Sequence, residues 1–217
     1  MGDQNTQITD GIYALVQSLD RHNHKTSPAG LPSNGIYFFF EQGEKIRWRN
    51  GTIDRIVRIG THKKDGRFKK RIRQHYGNVN SLRGNKNGSV FRKHLGGALL
   101  RKADPSDPRL NEWLKQGGRS YLEVEELVSR RLRENFTYCC FRVDSPEERD
   151  VLERGLIALI AQHPIGRPSA KWLGKHAASE KIVQSGLWNT QHIAATPLTS
   201  EQLRRIEELA VGTKGEQ

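Results

Sequence analysis

The sequence predicts an α/β fold of the α+β kind, in which helices flank a small, mainly antiparallel three-stranded sheet. Two observations carry this prediction. Short segments rich in aromatic and β-branched residues lie between turn signals, as strands do. Longer segments repeat their apolar residues every three or four positions, as amphipathic helices do. We also expect an inserted hairpin and helical elaborations.

Four short segments have the composition of strands, namely residues 35–40, 45–49, 52–60 and 136–143. The first and last are rich in aromatic or β-branched residues, which favour a buried strand. Asn50-Gly51 separates the middle two and is a strong hairpin signal. Residues 41–44 have the composition of a turn, so the first three segments are predicted to run antiparallel in succession.

Helical periodicity covers most of the remaining chain, namely residues 8–19, 67–76, 89–101, 108–116, 122–135 and 146–162, and a final helix from residue 199. Ser145-Pro146 supplies an N-cap and a first-turn proline for the helix that follows. Thr199 and Gln202 have the spacing of a capping box. We expect three parts: an N-terminal helix and linker (1–34), a central domain (35–192), and a C-terminal helix and tail (193–217).

Positive charge is concentrated in one stretch of the chain. The whole sequence has 36 Lys and Arg against 24 Asp and Glu, a net charge of +12. Residues 55–102 contain 15 Lys and Arg and one acid, Asp65, so this stretch alone carries +14. Such cations suit the phosphates of a nucleic acid, because each contact releases condensed counterions. A solvated basic face and a membrane-surface patch are the alternatives, but no amphipathic lipid-binding helix accompanies the cations.

The composition argues against several classes of protein. No apolar run approaches the roughly 18 residues needed to span a membrane, and the polar N-terminus does not resemble a signal peptide. Cys139 and Cys140 are adjacent, and two cysteines are too few for a disulfide scaffold or a thiolate zinc site. We therefore expect a cytoplasmic protein with reduced cysteines and no membrane partner.

Three ionisable residues are predicted to point toward the interior. Arg71 and His75 share one helical face with the apolar residues of segment 67–76, so both need polar partners inside the protein. Glu153 lies among apolar residues of a later helix, and a desolvated carboxylate needs a cation. That cation is either an arginine, in a buried ion pair, or a metal.

Five short motifs follow one another along the chain: Gly35-Ile36-Tyr37, Arg58-Ile59-Gly60, Arg71 with His75, Glu153-Arg154-Gly155-Leu156-Ile157, and Trp188-Asn189. In this order they resemble the GIY-YIG endonuclease domain, which homing endonucleases, excision-repair nucleases, junction resolvases and some restriction enzymes share. The resemblance spans residues 35–189. Gly11-Ile12-Tyr13 also spells the first motif, but its periodicity is helical and we interpret it as a coincidence.

The resemblance implies a metal-dependent endonuclease with a role for each motif residue. Glu153 is the expected ligand of one Mg²⁺ (or Mn²⁺) ion, with water and phosphate oxygens in the other positions. Tyr37 is expected to orient or deprotonate the attacking water together with His75. Arg71 is expected to clamp the scissile phosphate, and Asn189 to hold the framework or Tyr37 in place.

Two departures from the family pattern bear on activity. The second motif has Arg58 where the family usually has tyrosine. Arg58 either binds phosphate or polarises the nucleophile, or it marks lost or retuned activity. His62, two residues after that motif, is an alternative base. Residues 38–57 form a gap about twice the family's usual length, which the Asn50-Gly51 hairpin explains as an inserted strand pair.

Other cations are expected to bind nucleic acid rather than to react, namely Lys63, Lys64, Lys70, Arg73, Arg92 and Lys93. The expected partner is DNA, with RNA as the alternative, and a homodimer is an option for paired cuts. The main rival hypothesis is a catalytically silent nucleic-acid-binding protein of the same fold. A third is a scaffold or regulatory protein whose basic stretch binds an acidic partner.

Overall fold

A three-stranded antiparallel sheet forms the centre of the computed structural model, which describes residues 2–214. Strand β1 (Gly35–Trp48) lies in the middle, with β2 (Gly51–Gly60) on one side and β3 (Phe136–Arg142) on the other. Strand β1 is antiparallel to both neighbours. The predicted α/β fold with a small antiparallel sheet is confirmed.

The predicted turn at residues 41–44 is wrong, because β1 continues through it. The register of β1 against β2 shifts twice between Phe39 and Lys45, so the extra residues are accommodated as an irregularity within the ladder. Glu41 is still paired with β3. The inserted hairpin is therefore the far end of β1 and β2, and its turn lies one residue earlier than predicted, at Arg49-Asn50, because Gly51 already pairs with Trp48.

Eight α-helices surround the sheet in the described part of the chain: α1 (Gly2–Ser18), α2 (Phe68–Tyr76), α3 (Val90–Ala103), α4 (Arg109–Leu114), α5 (Leu122–Asn135), α6 (Pro146–Gln162), α7 (Glu180–Ser185) and α8 (Ser200–Lys214). Helix α1 begins earlier than predicted, and the other predicted bounds agree closely. Ser145 Oγ caps α6 by accepting from the Glu148 N–H at 3.1 Å. Thr199 and Gln202 form the predicted capping box before α8.

Each face of the sheet packs against its own layer of helices, because successive side chains of a strand point to opposite faces. Ile36, Phe38 and Phe40 of β1 pack with apolar residues of α1, α6 and α8. Tyr37 and Phe39 face the other way and pack with α2, α3 and α5. Tyr37 and the inward face of α2 therefore meet near the end of the sheet where β1 begins and β2 ends.

The N-terminal and C-terminal helices belong to the same packed structure as the sheet. Helix α1 contacts α8, and both contribute to one core. Gly11-Ile12-Tyr13 lies within α1, as its helical periodicity predicts. The division of the chain at residues 34/35 and 192/193 stays a prediction. Within the described residues, none of the helices combines the length and the apolar character needed to cross a membrane.

Candidate active site

A cavity of about 610 Å³ opens where β1 begins and β2 ends, and residues of α2 and α6 also line it. Five of the six predicted catalytic residues line it: Tyr37, Arg58, Arg71, Glu153 and Asn189. The sixth, His75, lies behind Tyr37 and has no exposed surface. The fold thus brings together motifs that are far apart along the chain.

Tyr37 and His75 form a buried hydrogen bond, with 2.8 Å between the phenol Oη and the imidazole Nε2. The other ring nitrogen, Nδ1, lies 3.0 Å from Oγ of Ser89 at the start of α3. Burial first, and then the charges of Arg71 and other nearby arginines, hold the pKa of His75 well below its ordinary value of 6.5. His75 is therefore neutral near neutral pH and acts as a hydrogen-bond partner of Tyr37.

Gly60, the glycine of the second motif, lies against the ring of Tyr37. The two residues are directly opposite each other in the ladder between β1 and β2. A Cβ atom at position 60 would lie 2.3 Å from Tyr37 Oη, well inside contact distance. Glycine therefore lets the phenol lie across the end of β2 and reach the cavity.

Two arginines approach the cavity from different elements. Arg58 of β2 donates from Nη1 to the backbone oxygen of Trp188 at 2.6 Å. Its Nε has no hydrogen-bond partner in the described structure, so one donor of the guanidinium is unused. Arg71 of α2 donates from Nη1 to the Gly88 backbone oxygen and to Gln74 Oε1, both at 2.9 Å. These contacts fix two positive charges at the cavity wall.

Glu153 presents a half-buried carboxylate to the cavity from α6. Its Oε1 accepts a hydrogen bond from the backbone N–H of Thr61 at 3.1 Å. Burial raises the pKa of the Glu153 carboxyl, and the nearby charge of Arg58 opposes that rise. The interior acid predicted from sequence therefore lies near an arginine and faces open space.

The Glu153 carboxylate fits a divalent cation of the magnesium type. Mg²⁺ prefers oxygen ligands and keeps several waters, so one carboxylate is a sufficient contribution from the protein. Among the described residues there is no group of three or more His, Cys, Asp or Glu that could hold a metal. The donors therefore fit a hydrated cation on Glu153 and do not fit a zinc-type cage.

Asn189 clamps the edge of β2 beside the cavity. Its Oδ1 accepts from the Ile59 N–H at 3.1 Å, and its Nδ2 donates to the Ile59 carbonyl at 2.9 Å. One residue earlier, the Trp188 N–H donates to the Val57 carbonyl at 2.7 Å. The pair fixes the backbone that carries Arg58 and Gly60.

His62 lines the cavity but has no free ring nitrogen. Its Nε2 accepts from the backbone N–H of Gly35 at 3.2 Å, and its Nδ1 bonds the backbone oxygen of Lys64 at 2.8 Å. The first bond ties the loop after β2 to the start of β1, and the second lies within that loop. The hypothesis that His62 is an alternative base is wrong.

The prediction that Arg92 binds nucleic acid is also wrong. The Arg92 side chain has no exposed surface. Its Nε donates to the Glu125 carboxylate at 2.9 Å, and its Nη1 donates to the His75 carbonyl at 2.8 Å. Its Nη2 bonds Glu125 and Ser129. Because the side chain is buried and each of its three nitrogens bonds a group inside the protein, Arg92 is not accessible to a phosphate.

Three of the other predicted binding residues, Lys63, Lys64 and Lys70, line the cavity. Arg73 and Lys93 are not part of its lining. Arg67 lines it too and was missed, although its place in the basic stretch, one helical turn before Arg71, is a usable signal. Uncharged polar residues complete the wall, namely Thr61, Gln74, Asn87, Gln116, Thr190 and Gln191. Nothing in their local sequence distinguishes them from other surface residues.

A protein-family match agrees with this arrangement of motifs. A family model described as a GIY-YIG domain matches residues 4–215, nearly the whole chain. The chain belongs to the GIY-YIG family. GIY-YIG domains are nuclease domains, so the family-level activity is hydrolysis of phosphodiester bonds in nucleic acid. No curated protein and no solved structure matches the chain.

The two motifs that give the GIY-YIG family its name lie side by side in this chain. The tyrosine of the first motif, Tyr37, crosses the glycine of the second, Gly60. Arg58 points to the same face of the sheet as both, since it is opposite Phe39 in the ladder. In this GIY-YIG domain an arginine thus faces the cavity from the position where a tyrosine is usual.

Proposed function

We propose that this GIY-YIG protein is a metal-dependent endonuclease that hydrolyses DNA phosphodiester bonds. One observation carries the proposal: a phenol, two guanidinium groups and a half-buried carboxylate line the same cavity. Their parts in hydrolysis follow from their chemistry. An attacking water needs a partner for its proton, a phosphate needs cations, and a divalent metal needs an oxygen ligand.

Glu153 is the residue that would hold Mg²⁺ or Mn²⁺. Such an ion supplies positive charge that polarises the phosphate and helps to form the nucleophile. The backbone N–H of Thr61 bonds one carboxylate oxygen and so keeps the side chain directed into the cavity.

Tyr37 is the residue that orients the water and takes its proton, and His75 supports the phenol from behind through the 2.8 Å hydrogen bond. As the water oxygen bonds to phosphorus, the bond from phosphorus to O3′ breaks. The leaving O3′ takes a proton from solvent, and the products carry 5′-phosphate and 3′-hydroxyl ends. Arg71 binds the phosphate and stabilises its charge in this step, and Arg58 adds a second positive charge at the cavity.

The flanking DNA lies along the cationic side of the cavity in this proposal. Lys63, Lys64, Arg67 and Lys70 all belong to that side, so phosphates next to the cut would neutralise them. Asn189 has a supporting role, because it holds the backbone of β2 rather than facing the phosphate with a free amide. Cytoplasmic location and pairing into a homodimer remain proposals of the same kind.

The proposal is tested with supercoiled plasmid, Mg²⁺ and three proteins: wild type, Glu153→Gln, and Glu207→Gln as an exposed acid outside the cavity. We expect nicking or linearisation by wild type and Glu207→Gln, and its loss with EDTA and in Glu153→Gln. Glu153→Gln keeps the shape of the side chain, so its loss of activity reports the carboxylate charge.

The arginine at position 58 favours the rival hypothesis of a silent binding protein, and the same experiment separates the two. Salt-sensitive DNA binding without cutting of plasmid, branched DNA or RNA would support the rival. Equal cutting by Glu153→Gln and wild type would remove Glu153 from the mechanism.

A further inference from the structure

We infer that Ser89 is a positioning residue that fixes the protonation pattern of the His75 ring, so that His75 donates a hydrogen bond to Tyr37 instead of accepting its proton. This inference rests on the proposed nuclease mechanism and specifies the direction of one proton in it. Ser89 belongs to none of the five motifs and is not itself part of the cavity lining. It acts through the ring it contacts.

The hydrogen bonds of the Ser89 hydroxyl determine which group donates. Ser89 is fully buried, and its Oγ contacts two groups in the described structure: the backbone N–H of Arg92 at 3.3 Å and Nδ1 of His75 at 3.0 Å. A backbone N–H is always a donor, so Oγ accepts from Arg92. The hydroxyl proton then has one available acceptor, Nδ1 of His75. The opposite pattern would leave a buried hydroxyl proton without any partner, which is costly.

The hydrogen bond donated to Nδ1 determines that the ring proton lies on the other nitrogen, Nε2. A neutral imidazole carries a single proton, so His75 with an unprotonated Nδ1 carries it on Nε2. The ring is neutral here because it is buried among the charges of Arg71, Arg58 and Arg92, with no acid among the causes of its pKa shift. Nε2–H therefore donates to Tyr37 Oη across the 2.8 Å contact.

This pattern gives the phenol a defined orientation. Because Tyr37 Oη accepts a hydrogen bond from His75 Nε2–H, the phenol proton points away from His75 and toward the cavity that Tyr37 lines. In the reaction Tyr37 releases that proton into the cavity solvent. The phenolate oxygen, held by Nε2–H, then takes the proton of the attacking water. His75 keeps the same single proton throughout.

The first turn of α3 is built to hold His75 in this place. Ser89 contacts the ring, and Arg92, three residues later, donates from Nη1 to the backbone oxygen of His75 at 2.8 Å. Arg92 is itself anchored by the carboxylate of Glu125 on α5. Ring and backbone of His75 are thus fixed by one helix terminus.

The direct test is the histidine ring ¹⁵N–¹H correlation spectrum of the full-length wild-type protein at neutral pH. The His75 signals are assigned by their disappearance in His75→Gln. We expect a neutral ring with its proton on Nε2. A proton on Nδ1 would overturn the inference, whether or not the protein cuts DNA, so failure of this inference is distinguishable from failure of the nuclease proposal.

Variants of Ser89 test the consequence for catalysis. Ser89→Ala removes the hydroxyl, and we expect a mixture of ring protonation states and a fall in kcat of roughly 10- to 100-fold with little change in KM. Ser89→Thr keeps the hydroxyl and should keep both the spectrum and kcat near wild type. Thr199→Ala is the matched control, because Thr199 caps α8 in the same way without touching the site.

A purely structural role for Ser89 predicts a different result. Ser89→Ala would then lose stability as Thr199→Ala does while its remaining folded protein kept the wild-type ring spectrum and kcat. That outcome would also overturn the inference.

Discussion

At the scale of single residues, the site depends on how closely Tyr37 approaches Gly60. The phenol oxygen occupies the space that a Cβ atom at position 60 would need. A methyl group there must push the tyrosine away from β2, which changes the position of Oη relative to both His75 and the cavity. The second motif therefore requires glycine for the placement of the tyrosine on the neighbouring strand.

Gly60→Ala is expected to destabilise the fold by about 1–3 kcal/mol, because it overpacks a buried contact. It is also expected to lower kcat, since the displaced phenol no longer meets the water correctly. Denaturant unfolding and plasmid cleavage measure the two effects. Gly51→Ala in the same strand is the control, because its Cβ would meet no atom within 4 Å. Equal behaviour of the two variants would contradict this account of the motif.

The sequence was informative for residues whose neighbours along the chain define their environment. Arg71 and His75 share a helical face that is otherwise apolar, and Glu153 lies in an apolar stretch, so their inward direction could be predicted. Arg92 has no such signal, because an arginine near a helix start has the same local sequence whether it is exposed or buried. Its partner Glu125 lies on a different helix and is brought to it only by the fold.

At the scale of secondary-structure elements, the wrong prediction of a turn at residues 41–44 has the same cause, because partners distant along the chain leave no signal in the local sequence. Its polar composition is typical of a turn, yet both acids have partners that keep them inside an extended strand. Glu44 binds Arg55 on β2, and Glu41 binds Arg131 on α5. The second pair spans 90 positions, so no local pattern could reveal it. Tertiary ion pairs here override local propensity.

The ion pair between α3 and α5 is expected to be essential for joining these helices. Arg92→Met leaves Glu125 as a buried charge without its cation, so we expect a loss of about 3–5 kcal/mol in the free energy of unfolding. Arg205→Met removes an exposed pair with Glu148 and should change stability far less. Denaturant unfolding compares the two variants. A loss no larger in Arg92→Met than in Arg205→Met would contradict the role assigned to the buried pair.

At the scale of the whole molecule, the positive charge is distributed unevenly around the cavity. Its cations come from the end of β2, from the loop that follows β2 and from α2, and the rest of its lining is mainly uncharged and polar. A nucleic acid bound there would therefore have a defined side for its phosphates. Its affinity should depend strongly on salt, because each neutralised phosphate releases counterions.

Lys70→Ala is expected to reduce the slope of log K against log salt concentration by about 0.9 for duplex DNA, the contribution of one phosphate contact. Fluorescence anisotropy over a salt series measures this slope, with EDTA present to prevent cleavage. Lys181→Ala, an exposed cation on α7 outside the cavity, should leave the slope unchanged. The same slope in both variants would mean that DNA does not lie along the cationic wall.

The contacts of Trp188 and Asn189 with β2 determine how much of the chain must be synthesised before the site can form. Asn189 reaches back across 130 positions to Ile59, so the edge of β2 acquires its last partner from a late part of the chain. Proteins emerge from the ribosome N-terminus first. A growing chain therefore contains the whole basic stretch, residues 55–102, long before Trp188 and Asn189 can bond β2. In this protein the edge of β2 therefore stays incomplete until residue 189 has been made, and a chain cut short before residue 188 would lack the bonds that hold the backbone of Arg58 and Gly60.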